Sequence, residues 1–268
     1  MDTTETEHDS PAGNGVSAFG KRVFFLNPQP VILEVASILA DAEFEVYTTR
    51  DHGRLARYLR KDPDCLTFVN IDEGDDEGVW RTWIKSIRDD KATNHVAFGV
   101  VTTLDDEDKK SAYLMNLGVE CGFIVVKMGA AKTAEILLRT LEANEARGRR
   151  KYVRAMCPPD AAEFNCTTDA GVLGGMIRDL SSVGMSASFT GGISVRTGTR
   201  LKDMQLIMRG IRVIVTGVVI GSHDAAGLGT IVVIMFEPAS LTDDKRNKLR
   251  AFIRKTLQAA MDHQLSLV

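Results

Sequence analysis

Apolar runs alternate with stretches of helical period between residues 21 and 147. Five runs predict buried strands: KRVFFLN (21–27), FEVYTT (44–49), CLTFVNI (65–71), HVAFGVVTT (95–103) and GFIVVK (122–127). Predicted helices follow them: one ending near Ala42 with Leu33, Val35, Ile38 and Leu39 on one face, then 55–61, 79–89, 105–116 and 130–147. This alternation indicates a five-stranded parallel sheet, covered on both faces and doubly wound by right-handed crossovers.

The pattern changes after Arg149 to short runs broken by Gly, Asp, Ser and Thr. The runs are AAEFNCTT (161–168), GVLGGMIRDLSSVGMSASF (171–189), DMQLIMRG (203–210), RVIVTGVVIG (212–221) and GTIVVIMFE (229–237). Such spacing predicts a closed or nearly closed antiparallel β-barrel. A terminal helix over about residues 241–263 is expected to begin at a Ser240 or Thr242 cap. Its apolar stripe comprises Leu249, Phe252, Ile253, Leu257 and Ala260.

The chain therefore divides into a tail (1–19), an α/β domain (20–148) and a barrel with its terminal helix (149–268). The tail is acidic and polar and lacks the features of a secretory signal, so we expect it to be disordered. No apolar stretch reaches the roughly 18 residues that a membrane span needs, so none is expected.

Composition narrows the class of protein. Apolar residues make up 44% of the 268 positions and charged residues 26%, which is typical of soluble globular chains. The four cysteines (65, 121, 157 and 166) form no C-x-x-C pair. They predict free thiols in a reducing compartment rather than a metal site, and hence a cytoplasmic protein.

The net charge of −3 conceals an asymmetry between the two halves. Residues 1–148 carry 17 Lys and Arg against 26 Asp and Glu, whereas residues 149–268 carry 16 against 10. A basic second half suggests that it meets an anion. The alternative is that the six bases on the terminal helix only form a solvated face.

Two short motifs stand at the start of the second half. Arg150 and Arg154 form R-x-x-x-R, and Asp179, Ser181 and Gly184 form D-x-S-x-x-G. Alone, the first is more often a solvated helix face and the second a turn between strands. Arginine is also planar, permanently charged and able to donate paired hydrogen bonds, which suits phosphates and guanine edges.

Together, in this order and separated by the first barrel strand, the motifs resemble those of the PilZ family. TGVVI (216–220) and GTIVVIMF (229–236) are similar to the closing strands of that family. The resemblance covers residues 149–240. It implies a non-enzymatic receptor for the second messenger cyclic di-GMP, without a cofactor, that acts in motility, surface attachment or virulence control.

The resemblance also implies roles for the motif residues. Arg150 and Arg154 are assigned to guanine edges and phosphates, and Asp179 to the guanine N1–H and amine. Ser181 adds a hydroxyl contact, while Gly184 either lets the ligand approach or has a structural role. Arg149, just before the first motif, favours two stacked ligand molecules. Alternatively, Arg149 is a cation that interacts favourably with the dipole at the C-terminal end of the preceding helix.

The first domain is similar to the receiver domains of bacterial response regulators. Threonines 102–103 end the fourth strand and Lys127 ends the fifth, as that family requires. No acidic pair follows the first strand, however, and Asn70 takes the place of the phospho-accepting aspartate, with Asp72 as an alternative acceptor. We therefore expect a degenerate receiver-like domain that serves protein contact. The downstream partner would bind to it or to the terminal helix.

We expect the helix 130–147 to run almost straight into residues 149–154. Ligand would fold this mobile basic segment over the barrel and rotate the first domain. One alternative is a phosphorylation-responsive regulator with a barrel output, disfavoured by the missing acidic pair. Another is a nucleic-acid-binding barrel, suggested by the basic half but weakened by its few aromatic residues. No metal or catalytic constellation in the sequence points to an enzyme.

Overall fold

A computed structural model of the protein describes residues 20–168, 171–225, 227 and 229–268. The tail that we expect to be disordered, residues 1–19, lies outside the described residues. The described residues form an α/β domain, a β-barrel and a terminal helix. The fold class predicted from the sequence is confirmed.

The first domain is built on a five-stranded parallel sheet of order β2-β1-β3-β4-β5. Its strands are Arg22–Leu26 (β1), Val46–Thr49 (β2), Cys65–Asn70 (β3), Ala97–Thr102 (β4) and Phe123–Val125 (β5). Its helices are Pro30–Asp41 (α1), His52–Lys61 (α2), Glu77–Asp89 (α3), Glu107–Ser111 (α4, continued by a π-helical turn Ala112–Asn116) and Gly129–Ala143 (α5).

Helices cover both faces of this sheet. Successive side chains of a strand point to opposite faces, so each strand packs against both helical layers. Val23 and Phe25 pack under α1 and α5, whereas Phe24 and Leu26 pack under α2 and α3. The predicted face of α1 was wrong in part. Leu33 and Ile38 are exposed, and the buried stripe consists of Ile32, Val35, Ala36 and Leu39.

The second domain is an antiparallel barrel closed by six strands. They are Ala162–Thr168 (β7), Gly171–Ser181 (β8), Gly184–Phe189 (β9), Arg200–Met208 (β10), Ile211–Ala225 (β11) and Gly229–Phe236 (β12). The order β8-β7-β10-β11-β12-β9 closes through pairing of β9 with β8. A short strand, Arg154–Met156 (β6), pairs with the C-terminal end of β8, at residues 179–181.

The terminal helix, Asp243–Ser266 (α6), joins the cores of both domains. Leu249, Phe252 and Ile253 are buried in the barrel core, whereas Met261 and Leu265 are buried in the core of the first domain. The predicted apolar stripe was therefore wrong at its end, since Ala260 is exposed and Met261 and Leu265 continue the buried face. Thr242 is the residue that caps the helix.

Polar contacts tie α6 to the first domain as well. Gln258 accepts from the backbone N–H of Thr48 (3.0 Å) and donates to its carbonyl (2.9 Å), so the amide pairs with the edge strand β2 as a neighbouring strand would. Arg254 donates to Ser37 on α1, and Arg250 faces Glu43. Arg250 and Arg254 thus do more than form part of a solvated face.

The fifth helix ends at Ala143 and does not run into the basic segment, which corrects the sequence prediction. Glu145 takes a left-handed backbone conformation (φ 53°), and the N–H of Ala146 bonds back to the Leu141 carbonyl. Such a left-handed residue, with N–H groups bonded back to carbonyls of the last turn, is a common way for a helix to end. Arg147 then lies over the Phe44 ring at 4.3 Å, so the chain docks on the first domain before it reaches the barrel.

Within the described ranges, no helix has the length and apolar character to cross a membrane. Among the same residues, no cluster of three His, Cys, Asp or Glu side chains could hold a metal ion. All four cysteines are free thiols, and only Cys157 is not fully buried.

Candidate ligand-binding site on the barrel

The pairing of β6 with β8 brings the two sequence motifs together. Arg154 lies directly opposite Ser181, and Met156 lies opposite Asp179. The first motif ends on β6, while the second begins on β8 and continues through a tight turn to Gly184 at the start of β9. Residues 25 or more positions apart in the chain therefore share one patch of the barrel surface.

Asp179 is the acidic centre of this patch. One of its carboxylate oxygens faces the Arg154 guanidinium at 3.9 Å, and the other accepts a hydrogen bond from the Ser186 hydroxyl. Ser186 lies directly opposite Asp179 across the β8–β9 pair, and sequence reasoning missed it. Its bond orients the carboxylate toward the arginine side of the patch.

The Ser181 hydroxyl is engaged in the turn itself. It donates to the Gly184 carbonyl (3.0 Å) and accepts from the Val183 N–H (3.4 Å). Ser181 is also buried. For this hydroxyl to donate to a ligand it would have to break its bond to the Gly184 carbonyl, whereas its second lone pair can still accept a hydrogen bond.

Gly184 has a steric reason to lack a side chain. A Cβ at this position would lie 2.6 Å from the Ile234 carbonyl oxygen on β12, far inside contact distance. The close approach of β9 to β12 beneath the patch therefore depends on glycine. This geometry supports the structural role for Gly184.

We expect Gly184→Ala to lower the free energy of unfolding by about 1–3 kcal/mol, because β9 and β12 must separate to admit the methyl group. Urea denaturation of the purified variant measures this. Gly221→Ala is the matched control, since nothing lies within 4 Å of a Cβ there. An equally small effect of both substitutions would show that β12 yields without strain.

Arg154 and Asp179 border a groove whose other side is apolar. Ile220 on β11 and Met235 on β12 line it and are each about half exposed, although both come from strands of a closed barrel. Exposed apolar side chains beside a charged pair suit a ligand with both flat and charged parts. Sequence alternation assigned these residues only to closing strands and gave no sign of their place in the groove.

The other two predicted arginines lie elsewhere. Arg150 borders a second groove, which Arg154 shares, between the basic segment and the first domain. Glu43 and Glu45 of the first domain line this second groove. Arg149, also among the described residues, is exposed and borders neither groove. Thus Arg154, Asp179, Ser181 and Gly184 are brought together, whereas Arg149 and Arg150 are not.

Cys157 follows β6 close to this patch. Burial, and after it the negative charge of Asp179, raises the pKa of the Cys157 thiol to about 11. The residue therefore stays protonated near neutral pH and is a poor nucleophile.

The phosphorylation alternative depends on the residues at the carboxyl end of the parallel sheet, where the acceptor would lie. Asn70 is buried and its amide donates to the Asn27 carbonyl (2.8 Å). The Asp72 carboxylate accepts from the Thr102 hydroxyl (2.5 Å) and from the Thr103 N–H and hydroxyl (2.6 and 2.7 Å). Both oxygens of the alternative acceptor are therefore already hydrogen-bonded.

No family model and no curated protein sequence matches the chain. Among solved structures, it is similar to the PilZ domain of YcgR from Escherichia coli with c-di-GMP: 16% identity over 43% of this chain and 96% of that one, TM-score 0.36. It is also similar to the MrkH–c-di-GMP complex from K. pneumonia, with 13% identity over 44% of this chain and 57% of that one and a TM-score of 0.39. A response regulator from Desulfuromonas acetoxidans is similar as well, with 14% identity over 46% of this chain and 98% of that one and a TM-score of 0.38.

The chain thus spans little more than half the length of MrkH. A PilZ domain and a response regulator are thus among the solved structures to which parts of the chain are similar.

Proposed function

We propose that this chain is a receptor for cyclic di-GMP, which it binds at the barrel patch formed by Arg154, Asp179, Ser181 and Gly184. The observation that carries the proposal is the β6–β8 pairing, which sets Arg154 opposite Ser181 and beside the Asp179 carboxylate. Two motifs that are weak when taken singly thereby become one surface. That surface offers a cation, an acceptor and an apolar wall.

The chemistry of the patch matches this ligand. Each guanine can receive paired hydrogen bonds from arginine at O6 and N7 and can donate to a carboxylate from N1–H and its amine. The two phosphates can form ion pairs with the arginine side chains that do not contact a guanine. Ile220 and Met235 offer apolar surface on which a base can lie. Four or five charge-assisted bonds of about 1.5–3 kcal/mol each, less ordering costs, are compatible with roughly micromolar or tighter affinity.

Binding is proposed to change how the domains are arranged. Arg150 and Arg154 border the second groove together, but only Arg154 also borders the groove with Asp179. For both arginines to contact one ligand, residues 149–153 must turn from the first domain toward the barrel. A movement of this segment, which leads directly into β6, changes the surface that the first domain offers to a downstream protein.

Isothermal titration of the full chain with cyclic di-GMP tests the proposal. We expect saturable binding at micromolar or lower concentration, with two ligands per chain if Arg149 stacks on a base. Linear pGpG and GTP are the matched controls and should bind far more weakly. Competition by single-stranded RNA would instead favour the nucleic-acid alternative. Absence of any heat at concentrations well above micromolar would contradict the proposed function.

A further inference from the structure

One carboxylate of the first domain contacts both ligand motifs at once. Glu43 accepts from the backbone N–H of Val153, within R-x-x-x-R, at 3.0 Å. Its other oxygen accepts from the Ser182 hydroxyl, within D-x-S-x-x-G, at 2.8 Å, and faces Arg250 of α6 at 3.5 Å. The Glu43 side chain is only 12% exposed, so water screens these contacts weakly.

The backbone of Glu43 adds to this picture. The residue directly follows the C-cap of α1 with φ at 66°, in the left-handed region. The N–H groups of Glu43 and Phe44 bond back to the Ala40 and Leu39 carbonyls, which defines the helix stop at which glycine is the least strained residue. A glutamate here is more strained than a glycine would be, but it places a carboxylate against the barrel.

The position of Val153 explains what the contact does. Val153 lies between Arg150 and Arg154, so its bond to Glu43 holds the basic segment against the first domain. In that position Arg150 borders the groove lined by Glu43 and Glu45, not the groove with Asp179. A ligand that needs both arginines must therefore draw Arg150 out of this groove, which the Glu43–Val153 bond opposes.

We propose that Glu43 is a latch between the domains that holds residues 149–153, and with them Arg150, away from the ligand patch and so weakens ligand binding. The latch rests on the proposed function for the identity of its ligand. Its release when cyclic di-GMP binds would free Val153 and Ser182 together. The event at the barrel is thereby transmitted to the end of α1 in the first domain.

The experiment compares the full chain with Glu43→Gly, which removes the carboxylate and suits the left-handed backbone. Without ligand, we expect amide hydrogen exchange in peptides covering residues 150–156 to become about tenfold faster. With cyclic di-GMP, we expect binding to tighten about tenfold, because a larger fraction of the protein is competent to bind. Glu43→Gln, which keeps one acceptor oxygen, should fall between the two.

Glu145→Gly is the matched control. It too replaces a left-handed glutamate after a helix, but Glu145 is exposed and follows the end of α5. Unchanged exchange in folded Glu43→Gly would overturn the latch. Faster exchange without tighter binding would overturn its coupling to the ligand. A wild-type chain that binds no cyclic di-GMP would overturn the proposed function and this coupling, while the exchange rates would still decide whether Glu43 holds the segment.

Discussion

Replacing Arg154 with alanine is expected to weaken binding of cyclic di-GMP at least about tenfold, since one lost charge-assisted contact exceeds 1.4 kcal/mol. The substitution should act on the ligand and not on the fold. The Arg154 side chain is 47% exposed and lies 3.9 Å from Asp179, and such surface pairs contribute only about 0–1 kcal/mol. Titration calorimetry and thermal unfolding of the same samples separate the two effects.

Arg212→Ala is the matched control, because Arg212 is an exposed arginine on β11 of the same barrel and borders no part of the proposed site. A fall of similar size is expected for Asp179→Ala and for Arg150→Ala. Unchanged affinity in all three variants would remove the site assignment. An equal loss in Arg212→Ala would show that overall charge, not the patch, attracts the ligand.

The division into an α/β domain and a barrel was predictable because the period of the apolar pattern changes near residue 149 and stays changed. The helix–strand alternation before that point and the short alternating runs after it each fit one architecture. The exposed face of α1 was less predictable. Its sequence is apolar on more than one side, so the pattern alone could not choose Ile32 and Ala36 over Leu33 and Ile38.

The end of α5 shows a second limit. The sequence LEANEAR continues a helical pattern, with no glycine until Gly148, yet the helix stops at Ala143. Contacts with the first domain favour the stop: Arg147 lies over the Phe44 ring, and the N–H of Lys21 bonds to the Ala146 carbonyl. Those partners are distant in sequence and leave no local signal.

The site residues divide in the same way. The R-x-x-x-R and D-x-S-x-x-G motifs were visible because their spacing is local. Ser186 was not, because its relation to Asp179 depends on the register of β8 against β9. Glu43 was least visible of all, since it belongs to the other domain and its contacts with the motif segment and with Arg250 of α6 are all distant in sequence.

The role of α6 in both cores leads to the other large effect. Leu265→Ala is expected to lower the free energy of unfolding by about 2–5 kcal/mol, because a buried leucine is lost and a cavity remains. Leu265 is 4% exposed and belongs to the core cluster that contains Leu55 and Leu59 of α2. Although the substitution lies in the terminal helix, amide exchange should therefore increase in α2 of the first domain.

Leu267→Ala provides the matched control, since Leu267 lies two residues further on and is 69% exposed. Its effect on the free energy of unfolding should stay within about 0.5 kcal/mol. Urea denaturation and amide exchange of both variants give the comparison. If Leu265→Ala were as mild as Leu267→Ala, the end of α6 would not be docked in the first domain. The contacts of Gln258 with Thr48 and of Arg254 with Ser37 would then be the ones that join α6 to the first domain.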